Sequence, residues 1–228
     1  MARRVALLVF LLVSSLLFGG DIATFANLGF SANSRYFMFA QYGVGEEDSY
    51  PYADLFVVDV PANDFVPDGV RQEVYAAPSE PGFIGAAALY TLLAENADLK
   101  KEHGIDHLAT GRILYLLVDG DEPKEELDFR DFLSGIRYNV SLEQKVYGEG
   151  EGVRSSFHID LTVIAQNGTS RYYRVGLPNF QRTGVKGYRI KQVILSPGGS
   201  ALVFVIEKEE VDRRGSNIRY MVETVIVG

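Results

Sequence analysis

The 228-residue sequence contains no cysteine. That absence excludes disulfide staples, thiolate metal sites, cysteine nucleophiles and thiol redox chemistry, and it leaves no residue to accept a lipoprotein's acyl chain. Histidine is scarce, with three in the chain. Cations are few in the first half: positions 21–132 hold 21 acidic residues against 7 Lys and Arg, whereas positions 133–228 hold 9 against 13. The formal net charge of −8 makes the chain a poor candidate for nucleic acid or an anionic membrane surface. Beyond the N-terminus no apolar run approaches the length of a membrane span. A serine nucleophile would need a Gly-x-Ser-x-Gly elbow, and none is present. Ser196-Pro-Gly-Gly-Ser200 is glycine-rich but lacks the Lys and the following helix of a phosphate-binding loop. No motif implies a cofactor.

The longest apolar run opens the chain. Arg3 and Arg4 precede Val5 to Phe18, which is interrupted only by Ser14 and Ser15 and ends at Gly19, Gly20 and Asp21. Basic, apolar and small-residue parts in that order make residues 1–20 a secretory signal peptide. As a helix the run would rise about 21 Å, short of the roughly 30 Å hydrocarbon core. Residues 21–228 are then expected to form a single β-rich extracytoplasmic domain with no membrane span after cleavage. Loss of the two arginines takes its charge to about −10. A mature chain of this length buries enough core to stand without crosslinks.

Alternation of apolar and polar residues runs through that domain and predicts a mainly β fold of antiparallel sheets. Strands are expected at Arg35–Tyr42, Asp54–Val60, Tyr138–Val146, Gly187–Leu195, Ala201–Glu207 and Asn217–Val227. Asn167-Gly168, between Ser156–Gln166 and Ser170–Val175, predicts a hairpin with a two-residue turn. One segment differs. Ile84, Ala88, Leu92 and Leu99 form a helical stripe, so a single inserted helix is expected over about 82–103, started by Ser79 or Pro81 and capped by Gly104.

A weak internal repeat also stands out. Leu28-Gly-Phe-Ser-Ala-Asn-Ser-Arg-Tyr-Phe-Met-Phe39 can be laid over Val193-Ile-Leu-Ser-Pro-Gly-Gly-Ser-Ala-Leu-Val-Phe204. Each resembles the strand–turn–strand unit of TolB-type and WD-type β-propellers, so two propeller-like hairpins within one β domain are expected. Phe25–Ser31, Arg35–Phe39, Gln41-Tyr-Gly43 and Pro51–Asp59 together resemble an uncharacterised family of bacterial predicted secreted proteins. That resemblance implies an extracytoplasmic location, periplasmic or secreted, and assigns no activity.

Two constellations could carry binding chemistry. His103, Asp106 and His107 lie within five residues and could hold a transition metal, with His158 as a third nitrogen donor. Asp119 to Glu126 is an acidic loop whose spacing fails that of a calcium-binding EF-hand. Residues 170–191 contain Arg171, Arg174, Arg182, Lys186, Arg189 and Lys191 with Tyr172 and Tyr188 among them, and no acid. Arginines beside aromatic rings can hold an anionic glycan or an acidic envelope protein. Ordinary outward strand positions, with counter-charges from the acidic first half, give the same pattern. The function expected is a non-enzymatic extracytoplasmic binding or scaffolding domain. The alternatives are a hydrolase of cell-envelope or host glycans, using a carboxylate pair, and an envelope assembly factor.

Overall fold

The computed structural model describes residues 20–46, 48–77, 83–212 and 215–228. The signal peptide, Gly20 apart, and the helix starts at Ser79 and Pro81 lie outside the described residues. Among the described residues the chain is mainly β, with fourteen strands in three antiparallel sheets and two helices.

The first sheet has the order β4 (Asp64–Val74), β3 (Pro51–Asp59), β2 (Tyr36–Val44), β1 (Thr24–Ser31), β5 (Ile105–Asp106). The middle sheet runs β14 (Gly215–Ile226), β13 (Ala201–Asp212), β12 (Val185–Leu195), β6 (Arg112–Leu116). The third runs β10 (Ser170–Val175), β9 (Arg154–Ile164), β8 (Arg137–Tyr147), β7 (Glu126–Arg130), with β11 (Arg182–Thr183) also on β9.

Strand β13 shows how the layers stack. Ala201 to Ile206 is an unbroken apolar run, and every residue in it is fully buried. Leu202, Phe204 and Ile206 pack with Phe157, Ile159 and Leu161 of the third sheet. Ala201, Val203 and Val205 pack with Phe37, Phe39 and Phe56 of the first. A strand covered on both faces needs no polar alternation, which is why this one reads as a run. The far face of the first sheet, Met38, Ala40, Leu55 and Val57, is covered in turn by Ala88, Leu89, Leu92 and Leu99 of the helices. The order across the molecule is third sheet, middle sheet, first sheet, helices.

The expected single helix is two: α1 (Ala86–Glu95) and α2 (Ala97–Glu102). Asn96 breaks it. Its side-chain Nδ2 donates to the Leu92 carbonyl at 2.9 Å, and its Oδ1 accepts from Arg71 Nε at 3.1 Å. Side-chain bonding of this kind competes with the helical ladder. Gly104 ends the second helix at φ 61°, as its position predicts. At the other end Gly85 has φ 75°, and a Cβ there would lie 2.2 Å from the Gly43 carbonyl oxygen.

The Asn167-Gly168 hairpin forms, but with a three-residue loop. Ala165 N–H donates to the Thr169 carbonyl, closing residues 166–168, and Gly168 alone takes the left-handed conformation, at φ 84°. A two-residue type I′ turn needs positive φ at both central residues; a type I turn followed by a left-handed glycine needs it at one.

The internal repeat is real at its turns. Ser31 Oγ accepts from Tyr36 N–H at 2.9 Å, and Ser196 Oγ accepts from Ala201 N–H at 3.2 Å. Ser34 and Gly199, equivalent in the two copies, both have positive φ and both donate to the carbonyl of their Ser. The turns touch, with Gly198 N–H donating to Ser34 Oγ at 3.2 Å. The propeller likeness stops there. The sheets stack in a line and helices seal the far face of the first, so no propeller forms.

Candidate functional site

Strand β14 is the edge of the middle sheet, and its outer N–H groups must find partners beyond the sheet. Residues preceding β1 meet the first of them. Ile218 N–H donates to the Asp21 carbonyl and Ala23 N–H to the Ile218 carbonyl, a short parallel pairing. Arg219 holds the Asp21 carboxylate at 2.7 Å. Two positions on, Tyr220 N–H donates to Gln41 Oε1 at 2.7 Å. Two beyond Val222, Thr224 N–H donates to Asn63 Oδ1 at 2.5 Å. Strand alternation points the Val222 N–H along the same edge, and Val222 lines a cavity of about 690 Å³.

All three layers contribute to this cleft. The first sheet supplies Phe39, Phe56, Val58 and Phe65, and the β3–β4 turn supplies Asn63. The rings of Phe39, Phe56 and Phe65 stack in series at 4.7 and 5.5 Å. Leu177 and Phe180 reach in from the β10–β11 connection, and Arg182 from β11 of the third sheet. Phe65 is 45 % exposed, Leu177 61 % and Phe180 54 %, so the mouth of the cleft is apolar and open to water.

One ion pair lies within it. Glu223 is 5 % exposed; its Oε2 accepts from Asn63 Nδ2 at 2.6 Å, and its Oε1 is 3.8 Å from Arg182 Nη2. Burial raises the Glu223 pKa, while the Asn63 hydrogen bond and the Arg182 charge pull it down. The Arg182 guanidinium lies 4.9 Å from the Phe180 ring, 5.2 Å from Phe157 and 5.9 Å from Tyr188. Its Nη1 is buried and has no hydrogen-bond partner among the described residues.

A second cavity, of about 470 Å³, adjoins the other side of Tyr220. Buried Glu207 accepts from the Tyr220 hydroxyl at 3.1 Å and pairs with Arg189 at 3.1 Å and Lys191 at 3.6 Å. Lys191 also binds Asp119 at 2.6 Å and lowers its pKa. Glu207 and Asp119 thus share a cation. General acid catalysis needs a carboxyl raised toward neutrality, and Asp119 is shifted the other way.

The basic stretch is spread over three places. Tyr172 and Arg174 lie on the outer face of the third sheet, where Arg174 pairs with Asp160 at 2.8 Å and donates to the Tyr172 hydroxyl at 3.0 Å. Arg171, exposed, is on the alternate row of the same strand. Arg182 is in the cleft. Lys186 and Arg189 lie on β12, paired with Glu209 at 2.8 Å and Glu207 at 3.1 Å. Tyr188 is core, its hydroxyl bonded to Ser155. Apart from Lys191 with Asp119, these counter-charges come from neighbouring strands of the same half of the chain.

The histidines sit apart too. His103 packs edge-on against Tyr36 at 4.9 Å, and His107 Nδ1 is 2.6 Å from the Leu28 carbonyl. Asp106 Oδ1 accepts from Leu108 N–H, and His158 lies beside Asp160 on the outer third sheet. Among the described residues no three His, Cys, Asp or Glu side chains gather as a metal site would require. No described helix is long and apolar enough to cross a membrane.

Sequence reading missed Asn63 and Glu223. Asn63 carried one usable signal, as an Asn in a turn, and it has φ 51°. Glu223 was legible only as an acid set in the apolar strand Tyr220–Ile226.

The architecture defines a layered, mainly β protein with an apolar interlayer cleft and a buried ion pair. The chain belongs to the family described as "Predicted secreted protein (DUF2259)", whose model matches residues 38–225. No curated protein and no solved structure matches it.

Proposed function

We propose that the chain is an extracytoplasmic, non-enzymatic binding module that takes an apolar or amphipathic ligand in the cleft beside β14. The open apolar mouth carries this reading. Phe65, Leu177 and Phe180 expose about half of their surface around a cavity of about 690 Å³, although burying each would be worth about 1.5–3 kcal/mol. Ligand sites combine an apolar lining with a few fixed polar groups, and here those groups are Arg182, Glu223, Asn63 and Gln41. The family's description as secreted supports the location, whether periplasmic or fully released. Envelope proteins and glycans, the partners expected from the basic stretch, would meet Arg174, Lys186, Arg189 and Lys191 already paired to acids, and that favours the cleft over the stretch.

The test is titration with N-phenylnaphthylamine, a neutral dye that fluoresces in apolar surroundings. Saturable uptake is expected, weakened at least about tenfold when Leu177 and Phe180 are both replaced by Ser. Uptake unaffected by that double change would place binding elsewhere and overturn the reading.

A further inference from the structure

Arg182 is held in the cleft by three aromatic rings, yet half of its hydrogen-bonding fork is unused. Its Nη2 sits 3.8 Å from Glu223, beyond hydrogen-bond range, and its Nη1 is buried without a partner among the described residues. An unpaired buried donor is costly, and more so when it is charged. Glu223 does little to relieve it, because Asn63 holds the carboxylate from the other side at 2.6 Å. The guanidinium is therefore only loosely matched within the chain, and Arg182 lines the cleft, so a ligand carboxylate can supply an acceptor together with the opposite charge; charge-assisted bonds to Arg are the stronger kind.

We infer that the cleft binds an apolar chain ending in a single carboxylate, with that carboxylate on the Arg182 guanidinium and the chain over Phe39, Phe56, Val58 and Phe180. The inference rests on the cleft being the binding site and adds the class of ligand. A monoanion fits better than a phosphate monoester, because Glu223 lies 3.8 Å from the same guanidinium and a second negative charge would repel it. The polar end also has a defined depth. Phe180, whose ring lies 4.9 Å from the Arg182 guanidinium carbon, stands at the mouth at 54 % exposure, while Arg182 lies further in with its side chain 19 % exposed. The carboxylate enters first and the chain lies along the apolar wall toward the opening.

The experiment compares decanoate with decanol by calorimetric titration of the purified chain. The expected result is that decanoate binds about 10- to 100-fold more tightly than decanol, that Arg182→Gln removes the difference between the two, and that Arg182→Lys keeps part of it. Equal binding of the two ligands to the unaltered chain, or a preference that survives Arg182→Gln, overturns the role of Arg182 while the cleft stands. If neither ligand binds, the cleft reading falls with it. The comparison on the unaltered chain decides the matter even if Arg182→Gln does not fold.

Discussion

Asn63 and Glu223, 160 positions apart in sequence, are joined by a 2.6 Å hydrogen bond from the Asn63 amide to the Glu223 carboxylate. The same Asn63 side chain accepts from Thr224 N–H, so a single turn residue of the first sheet caps the edge of the middle sheet and steadies its buried acid. Replacing Asn63 by Ala removes both hydrogen bonds and should cost about 2–4 kcal/mol, part of it from forcing Ala to φ 51°. Asn63→Asp separates the causes, since Asp tolerates that backbone but sets a second carboxylate against Glu223. Its loss of stability in urea unfolding should be larger at pH 7 than at pH 4.

Glu223 itself should make the fold less stable as pH rises. Burial lifts its pKa above the ordinary value of 4.5. A carboxyl raised in the folded state holds its proton more tightly there than in the unfolded chain. The cost of ionising it is therefore absent below the unfolded value, grows as pH climbs toward the folded one, and is complete above that. Glu223→Gln keeps an acceptor for Asn63 and removes the charge. The variant should gain stability relative to the natural chain as pH rises from 4 to 8, and a constant difference over that range would refute the placement of a buried carboxyl here.

Asp131 should behave in the opposite sense. It is 2 % exposed at the β7–β8 turn. Burial alone would raise its pKa, but hydrogen bonds from the Ser134 hydroxyl and the Leu133 and Ser134 amides, with the Arg112 charge, bring it below the ordinary value. Its contribution is present above the unfolded pKa and lost as pH falls through the folded one. Asp131→Ala strands these donors and should lower the melting temperature by about 5–15 °C at pH 7. The penalty should shrink in acid, as differential scanning calorimetry would show.

How much of this was legible depended on the range of the interaction. The alternation of Tyr138, Val140 and Leu142 and the Asn167-Gly168 hairpin are local, and both appear where the sequence places them. The serine turns at Ser31 and Ser196 were legible for the same reason, because each closes on a residue five positions ahead. The helix was legible except for its start, since it begins at Ala86 and leaves Ile84 outside and exposed, and its break, which depends on Arg71 reaching Asn96 from β4. Layer order was not legible. A run such as Ala201–Ile206 says that a strand is buried on both faces without saying what covers it. The basic stretch looked like one patch because its residues are neighbours in sequence, yet β10, β11 and β12 deliver them to different surfaces. The cleft could not be read at all, since its polar groups Gln41, Asn63, Arg182 and Glu223 come from four separate strands and turns.

The central claim is that the cleft beside β14 is the binding site, and amide chemical shifts recorded during a decanoate titration test it most directly. Saturable changes concentrated at Phe65, Leu177 to Arg182 and Tyr220 to Thr224 are predicted. Saturable changes centred instead on Leu117 to Asp121 and Arg189 to Gln192, or no saturable change at all, would contradict it.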